Sequence, residues 1–302
     1  MQPEPHSRQP SSGSAAPPPA RLVIGASGAV GRALLEYLAG SHAPTLALSR
    51  ATPPPWADAM PAVAWQRASL EQLDAAGFAG SGVVFSAGPL DGLAAWLERA
   101  QPRPARIVAL SSTSRHVKTA SPDPVERALA QRLGDAEARC ARYAEGAGIA
   151  LSVLRPTLIV SARDGDALDA IAAVARRLGF ALLPGSACGL RQPVHATAVA
   201  QAMWACAAAP ISIGRSYDIP GGETLSYLDL VRRLLAARAP GARILRLPTG
   251  LYRLLAATAR RHRALAGLSD AVIARMAEDL VFDAQPAIRD FAYAPGALVL
   301  DR

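Results

Sequence analysis

Lysine is almost missing from this chain. Lys118 is the only one among 302 residues, so nearly all of the positive charge is arginine. The formal net charge of +8 comes from arginines scattered along an Ala- and Arg-rich sequence. Solvated helix faces and phosphate contacts to a cofactor account for such a pattern, and no nucleic-acid partner is expected. Cysteine is also scarce: Cys140, Cys188 and Cys206 lie far apart with no C-x-x-C spacing. They exclude a disulfide framework and read as small apolar fillers in a reducing compartment. None of the five histidines pairs with another at ligand spacing, so no metal site is expected. No apolar run of about 18 residues is free of charge, Pro or Gly, which excludes a membrane span and argues against a membrane partner. The amino-terminal end lacks the apolar core of a secretory signal, and a cytoplasmic protein is the simple expectation.

What is present is ample apolar material: 51% hydrophobic against 19% charged residues, enough for a large α/β core. Residues 1–19 are mostly Pro, Ser, Gly and Gln and cannot bury enough surface to offset their ordering entropy, so a disordered tail is expected there. From Ala20 the pattern alternates. Short apolar runs at 21–24, 45–48, 62–66, 82–86, 106–110 and 150–154 predict strands, and 30–38, 69–76, 90–100 and 123–146 predict helices between them. This alternation implies right-handed crossovers and a parallel sheet. The last helix has a legible start, with Asp123, Pro124 and Glu126 at capping-box spacing. Past about residue 162 longer helices with short strands between them are expected, forming a lobe over the carboxyl edge of the sheet.

The sharpest local signal is Gly25-Ala26-Ser27-Gly28-Ala29-Val30-Gly31, a G-x-x-G-x-x-G turn between a predicted strand and a predicted helix. Gly25 suits the tight turn, Gly28 a close approach of backbone to a pyrophosphate, and Gly31 close helix–strand packing. The helix N-terminus then offers free N–H groups to phosphates. The fold class expected is therefore a Rossmann-type doubly wound parallel sheet over 20–161, with a smaller C-terminal α/β lobe, interleaved with it, over 162–302. The second strand ends in Ser49-Arg50 where an acidic residue would hold the ribose of NAD. Ser49 and Arg50 suit a 2′-phosphate, so NADP(H) is favoured over NAD(H).

With these motifs the chain resembles the extended short-chain dehydrogenases/reductases of the NAD-dependent epimerase/dehydratase type. The likeness also rests on Val83-Val84-Phe85-Ser86-Ala87-Gly88-Pro89 and Ala109-Leu110-Ser111-Ser112-Thr113-Ser114. It continues through Leu154-Arg155-Pro156-Thr157-Leu158-Ile159, Arg191-Gln192-Pro193-Val194-His195 and Tyr217-Asp218-Ile219-Pro220-Gly221-Gly222. The resemblance implies cofactor contacts at Gly25, Ser27, Gly28, Ala29, Val30 and Gly31. It puts Ser86, Ala87 and Gly88 beside the ribose, Ser111 with the cofactor contacts, and Pro156 and Leu158 on the nicotinamide side. Thr113 matches the family's catalytic Ser/Thr. A small-molecule substrate, with nucleotide sugars in view, and a homodimer would follow.

The resemblance breaks at the catalytic pair. The family's Tyr-x-x-x-Lys is absent: Ser114 stands four residues before Lys118. Aligning Glu137 with the acidic residue that follows the motif puts Leu129 and Leu133 in the Tyr and Lys positions, and neither can exchange a proton. Tyr143 has Ala147 at its fourth position. His116 and Lys118, just after Thr113, are the candidate replacements, or else they decorate a surface loop. His195 reads as a structural histidine, and Arg155 either binds a substrate anion or pairs with an acid under the sheet. Two readings stay open: an atypical oxidoreductase or epimerase-like enzyme, and a non-catalytic NADP(H) sensor or assembly factor.

Overall fold

The computed structural model describes residues 20–40, 43–74, 82–161, 168–259 and 269–300. The expected tail, 1–19, lies outside the described residues. In chain order the first half runs β1 (Arg21–Ile24), α1 (Ala29–Leu38), β2 (Thr45–Ser49), β3 (Val63–Arg67) and β4 (Val83–Ser86). It continues with α2 (Leu90–Ala100), β5 (Arg106–Leu110), α3 (Ser114–Val117), α4 (Pro124–Ala147) and β6 (Ala150–Pro156). Then come β7 (Ile159–Val160), α5 (Asp169–Leu178), β8 (Phe180–Pro184), β9 (Leu190–Arg191), β10 (Val194–His195), α6 (Ala196–Ala208) and β11 (Ser216–Ile219). The last elements are β12 (Leu225–Ser226), α7 (Tyr227–Arg238), β13 (Arg243–Leu247), α8 (Thr249–Ala259), α9 (Asp270–Arg275) and α10 (Gln285–Phe291).

Seven strands form one sheet in the order β11-β6-β5-β4-β1-β2-β3, every pairing parallel. Successive strands move outward from β1 in one direction, then from β4 in the other, and the reversal lies between β1 and β4. Both faces are covered, which is why the strands read as continuous apolar runs. Val23 packs into the core with α1 and α6, while Leu22 and Ile24 point into the core with α2 and α4. Each such side chain, fully buried, contributes about 1.5–3 kcal/mol. At the amino end of β5, buried Arg106 donates to Ser152 Oγ at 2.8 Å, Ser212 Oγ at 2.6 Å and the Cys206 carbonyl at 2.9 Å, pinning β6 and α6 to the sheet.

The remaining short strands pair as β7 with β10, β9 with β12 and β8 with β13 in the C-terminal lobe. α6 and β11 return from that half to the main sheet, so the lobe is interleaved with it.

Three local expectations change. Of the helix expected over 69–76, the described part is a single 3-10 turn, Leu70–Gln72, held by Trp96 and Arg99, which both donate to the Leu73 carbonyl at 3.0 Å. Asp123 does cap α4, accepting from the Val125 amide at 2.9 Å, but Glu126 does not complete a capping box. Its carboxylate is taken by Ser121 and Arg275 instead. The described helices past 162 are 6 to 13 residues long, shorter rather than longer than the 24-residue α4. Cys140 and Cys206 are buried fillers as expected, whereas Cys188 is exposed.

Candidate functional site

The β1–α1 turn brings backbone against backbone. Gly25 sits at φ +76°, and a Cβ there would stand 2.7 Å from the Gly88 amide. A Cβ at Gly31 would lie 2.2 Å from the Gly25 carbonyl, so α1 approaches the turn as closely as the backbone allows. Gly28 differs. It is the N-cap residue, has no side-chain cap, and its nearest Cβ neighbour is the Gly25 carbonyl at 3.3 Å, so a side chain there enters open space. The uncapped first turn of α1 therefore presents its amides outward, where the helix dipole adds a partial positive charge.

That open space is a cavity of about 800 Å³ between the carboxyl edge of the sheet and the lobe. Of the residues singled out in the sequence, Gly28, Ala29, Val30, Ala87 and Gly88 line one end. Ser111, Thr113, Lys118, Pro156 and Leu158 line the middle. Gly25 and Gly31 stand behind the wall and shape it. Ser86 is fully buried, and its hydroxyl has no partner among the described residues. Ser27 and Ser49 share a hydrogen bond of 2.7 Å beyond the cavity, at the end of β2. Arg50 is exposed there, and Arg67 donates to its carbonyl at 3.3 Å.

His116 does not line the cavity. Its Nε2 faces Asp218 Oδ1 across 3.4 Å, on the β11 side. His195 caps α6 by accepting from the Thr197 amide at 3.3 Å, a structural role. Arg155 pairs with an acid: it donates to Glu137 from Nε at 2.9 Å and from Nη2 at 2.6 Å. Ser111 Oγ donates to the same carboxylate at 2.5 Å, and Arg115 Nε stands 3.1 Å away, outside hydrogen-bond alignment. Burial pushes the Glu137 carboxyl up, but the bonds from Arg155 and Ser111 outweigh it and hold its pKa below the ordinary range. Leu133 lines the cavity where the resemblance would put a lysine.

Lys118 and Thr113 are among the polar groups that line the cavity. Buried Thr113 donates its hydroxyl to the Pro156 carbonyl at 3.3 Å, which orients its oxygen lone pairs. Burial lowers the Lys118 pKa, opposed by Glu126 at 3.8 Å and assisted by Arg275. Arg275 bonds Glu126 through both guanidinium nitrogens, so α9 closes on the start of α4. Sequence reasoning missed this Glu126–Arg275 link because its partners lie 149 positions apart. It also missed Tyr227, on the lobe wall, whose phenol burial pushes up to about 12. Arg191 spends its guanidinium on the carbonyls of Leu190, Arg275 and Glu278 and stacks on the Tyr227 ring.

No protein-family model matches the chain, and no curated protein does. Solved structures do. A UDP-glucuronic acid 4-epimerase from Bacillus cereus in complex with NAD superposes with a TM-score of 0.69 at 14% identity, covering 92% of each chain. The chain has the fold of the NAD-dependent epimerases and dehydratases. A dTDP-glucose 4,6-dehydratase from Bacillus anthracis, in complex with NAD, gives 0.62 at 10% identity over 91% of each chain. The terminal R domain of the myxalamid PKS-NRPS pathway gives 0.66 at 15% identity, over 95% of this chain and 88% of that one. This epimerase/dehydratase fold accounts for the seven-stranded sheet and for the lobe over its carboxyl edge. Among the described residues no helix is long and apolar enough to cross a membrane, and no cluster of His, Cys, Asp or Glu could hold a metal ion.

Proposed function

We propose that the chain binds NADP(H) along the glycine turn and acts as an atypical oxidoreductase or epimerase-type enzyme on a small carbonyl or carbinol substrate. The observation that supports it most is the uncapped N-terminus of α1, at the wall of a cavity that also holds Thr113 and Lys118. A nicotinamide dinucleotide, when bound, supplies or accepts the hydride. The amides of Ala29 and Val30 would meet its pyrophosphate. Thr113 would hydrogen-bond the reacting substrate oxygen, and Lys118, a half-buried ammonium with a lowered pKa, would move the accompanying proton. Lys118→Met is expected to lower turnover by roughly 10²–10⁴-fold with dinucleotide affinity unchanged. His116→Gln, outside the cavity wall, should leave turnover as it is. Stopped-flow hydride transfer measures both, and equal losses in the two variants would contradict the assignment of Lys118.

Arg50 carries the choice of cofactor. It is exposed, no hydrogen bond or ion pair from the described residues engages its guanidinium, and Arg67 reaches the same strand end. Both guanidiniums suit a 2′-phosphate, which prefers charge-assisted donors. Arg50→Asp is expected to weaken NADPH by roughly 10–100-fold, the worth of one such bond, while NADH gains. An unchanged ratio of dissociation constants would remove Arg50 from the site.

The cavity's cations suit a substrate that carries an anionic group. Lys118 and Arg275 line the cavity and share the Glu126 carboxylate behind the wall, and Arg191 lines it with its guanidinium held on backbone carbonyls. Nucleotide sugars fit that description, and a UDP-glucuronic acid 4-epimerase is among the proteins that share the fold. Leu133 favours a second reading. An apolar side chain at the expected lysine position suits a sensor that binds the cofactor without turnover. Hydride transfer to any of a panel of carbonyl and nucleotide-sugar substrates separates the two.

A further inference from the structure

The cavity changes character along its length. One end offers the backbone of the glycine turn, and the middle holds Thr113 and Lys118. The lobe supplies a third part of the wall, where the side chains are mostly apolar: Leu168, Ile171, Val272, Met276, Leu280 and Phe282. The polar side chains among them are nearly all engaged. Arg191 is buried and donates to the carbonyls of Leu190 and Glu278 at 2.7 Å each. Gln192 accepts from the Phe282 amide at 2.7 Å and donates to Thr224 Oγ1 at 3.3 Å. Arg275 is bonded to Glu126 through both terminal nitrogens.

Tyr227 is what remains. The Arg191 guanidinium lies over its ring, 5.3 Å from the centroid, and no described residue bonds its hydroxyl. Charge is rationed in the same way. Lys118 and Arg275 share Glu126, so two cations meet one acid and a single positive charge stays unmatched. These limits separate substrate classes. A nucleoside diphosphate sugar brings two phosphates and a set of sugar hydroxyls. Against the lobe wall the hydroxyls would give up water for one phenol, and the second phosphate would find no counter-charge. An alkyl or aryl body gives up nothing polar there and gains by leaving water.

We propose that the lobe wall receives the apolar body of a ketone or secondary alcohol that bears no more than one anionic group. This rests on the oxidoreductase reading above and narrows it, setting nucleotide sugars aside. In the reduction the carbonyl carbon gains a hydride from the reduced nicotinamide. The carbon–oxygen π bond breaks, and the oxygen takes a proton from the Lys118 ammonium. The products are the secondary alcohol, the oxidised dinucleotide and a neutral Lys118, which water reprotonates.

The test is calorimetric titration of the full chain, alone and saturated with NADP+, with methyl hexyl ketone, acetophenone and UDP-glucose. With the oxidised dinucleotide neither ketone turns over, so the heats report binding. At least one ketone is expected to bind saturably and roughly tenfold or more tightly than UDP-glucose. Phe282→Ser should weaken that ketone roughly tenfold and leave NADPH affinity unchanged, with a thermal melt to show the fold retained. Should Phe282→Ser misfold, Leu280→Ser reads the same wall. Binding of neither ketone, or tighter binding of UDP-glucose than of both, would overturn the proposal. So would ketone affinity indifferent to the two variants. NADPH is titrated separately, so a failure of the cofactor reading shows there, while ketone binding to the chain alone still reads the lobe wall.

Discussion

Gly28→Asp is expected to weaken NADPH binding by about a thousandfold while leaving the fold in place. Position 28 caps α1 at the cavity wall, and a Cβ there meets only the Gly25 carbonyl, at 3.3 Å. Asp is a good N-cap, so the helix itself loses nothing by the change. The carboxylate would occupy the space a pyrophosphate needs. Two unit charges about 4 Å apart in a partly desolvated site repel by about 4 kcal/mol, close to a thousandfold in affinity. Calorimetric titration with NADPH reads the loss, and a thermal melt reads the fold. Unchanged affinity would mean that the glycine turn does not hold the dinucleotide. Gly31→Ala is a useful contrast, since its Cβ would collide with the Gly25 carbonyl at 2.2 Å and damage the fold and the site together.

The second large effect concerns stability. Glu137 is buried and carries bonds from Arg155 and Ser111, which join α4 to β5 and β6 beneath the cavity floor. Glu137→Leu is expected to destabilise the protein by about 3–5 kcal/mol, because it leaves the Arg155 guanidinium buried without its counter-charge. Its folded pKa is lowered, so this stabilisation is present above the ordinary glutamate value of 4.5 and is lost as the pH falls through the folded value. The wild type should therefore lose stability as the pH falls below about 4.5, and Glu137→Leu should show a flatter acid limb. Denaturant melts across that pH range measure both. Equal acid sensitivity in the two proteins would place the titrating group elsewhere.

Much of this architecture was legible in the sequence because it rests on local rules. The turn from Gly25 to Gly31 needs glycine where backbone meets backbone, and parallel strands buried on both faces leave apolar runs that are easy to read. Leu129 and Leu133 stand where the resemblance would put the Tyr and Lys of the catalytic pair, and the structure adds that Leu133 lines the cavity. What could not be read is set by distant partners. The Glu126 carboxylate looked like half of a capping box, but Arg275 and Ser121 compete for it and win. The helix expected at 69–76 shrinks to one turn because Trp96 and Arg99 of α2 claim the Leu73 carbonyl. His116 and Lys118 looked equivalent beside Thr113. Two positions apart on a helical turn, they point about 200° apart, so when Lys118 meets the cavity His116 turns to Asp218.

The most direct measurement is a calorimetric titration of the purified full chain with NADPH and with NADH. Saturable binding, tighter for NADPH and lost in Gly28→Asp, is the result expected of a dinucleotide held on the first turn of α1. Binding of neither, by a protein whose melt shows it folded, would contradict the assignment of the cavity.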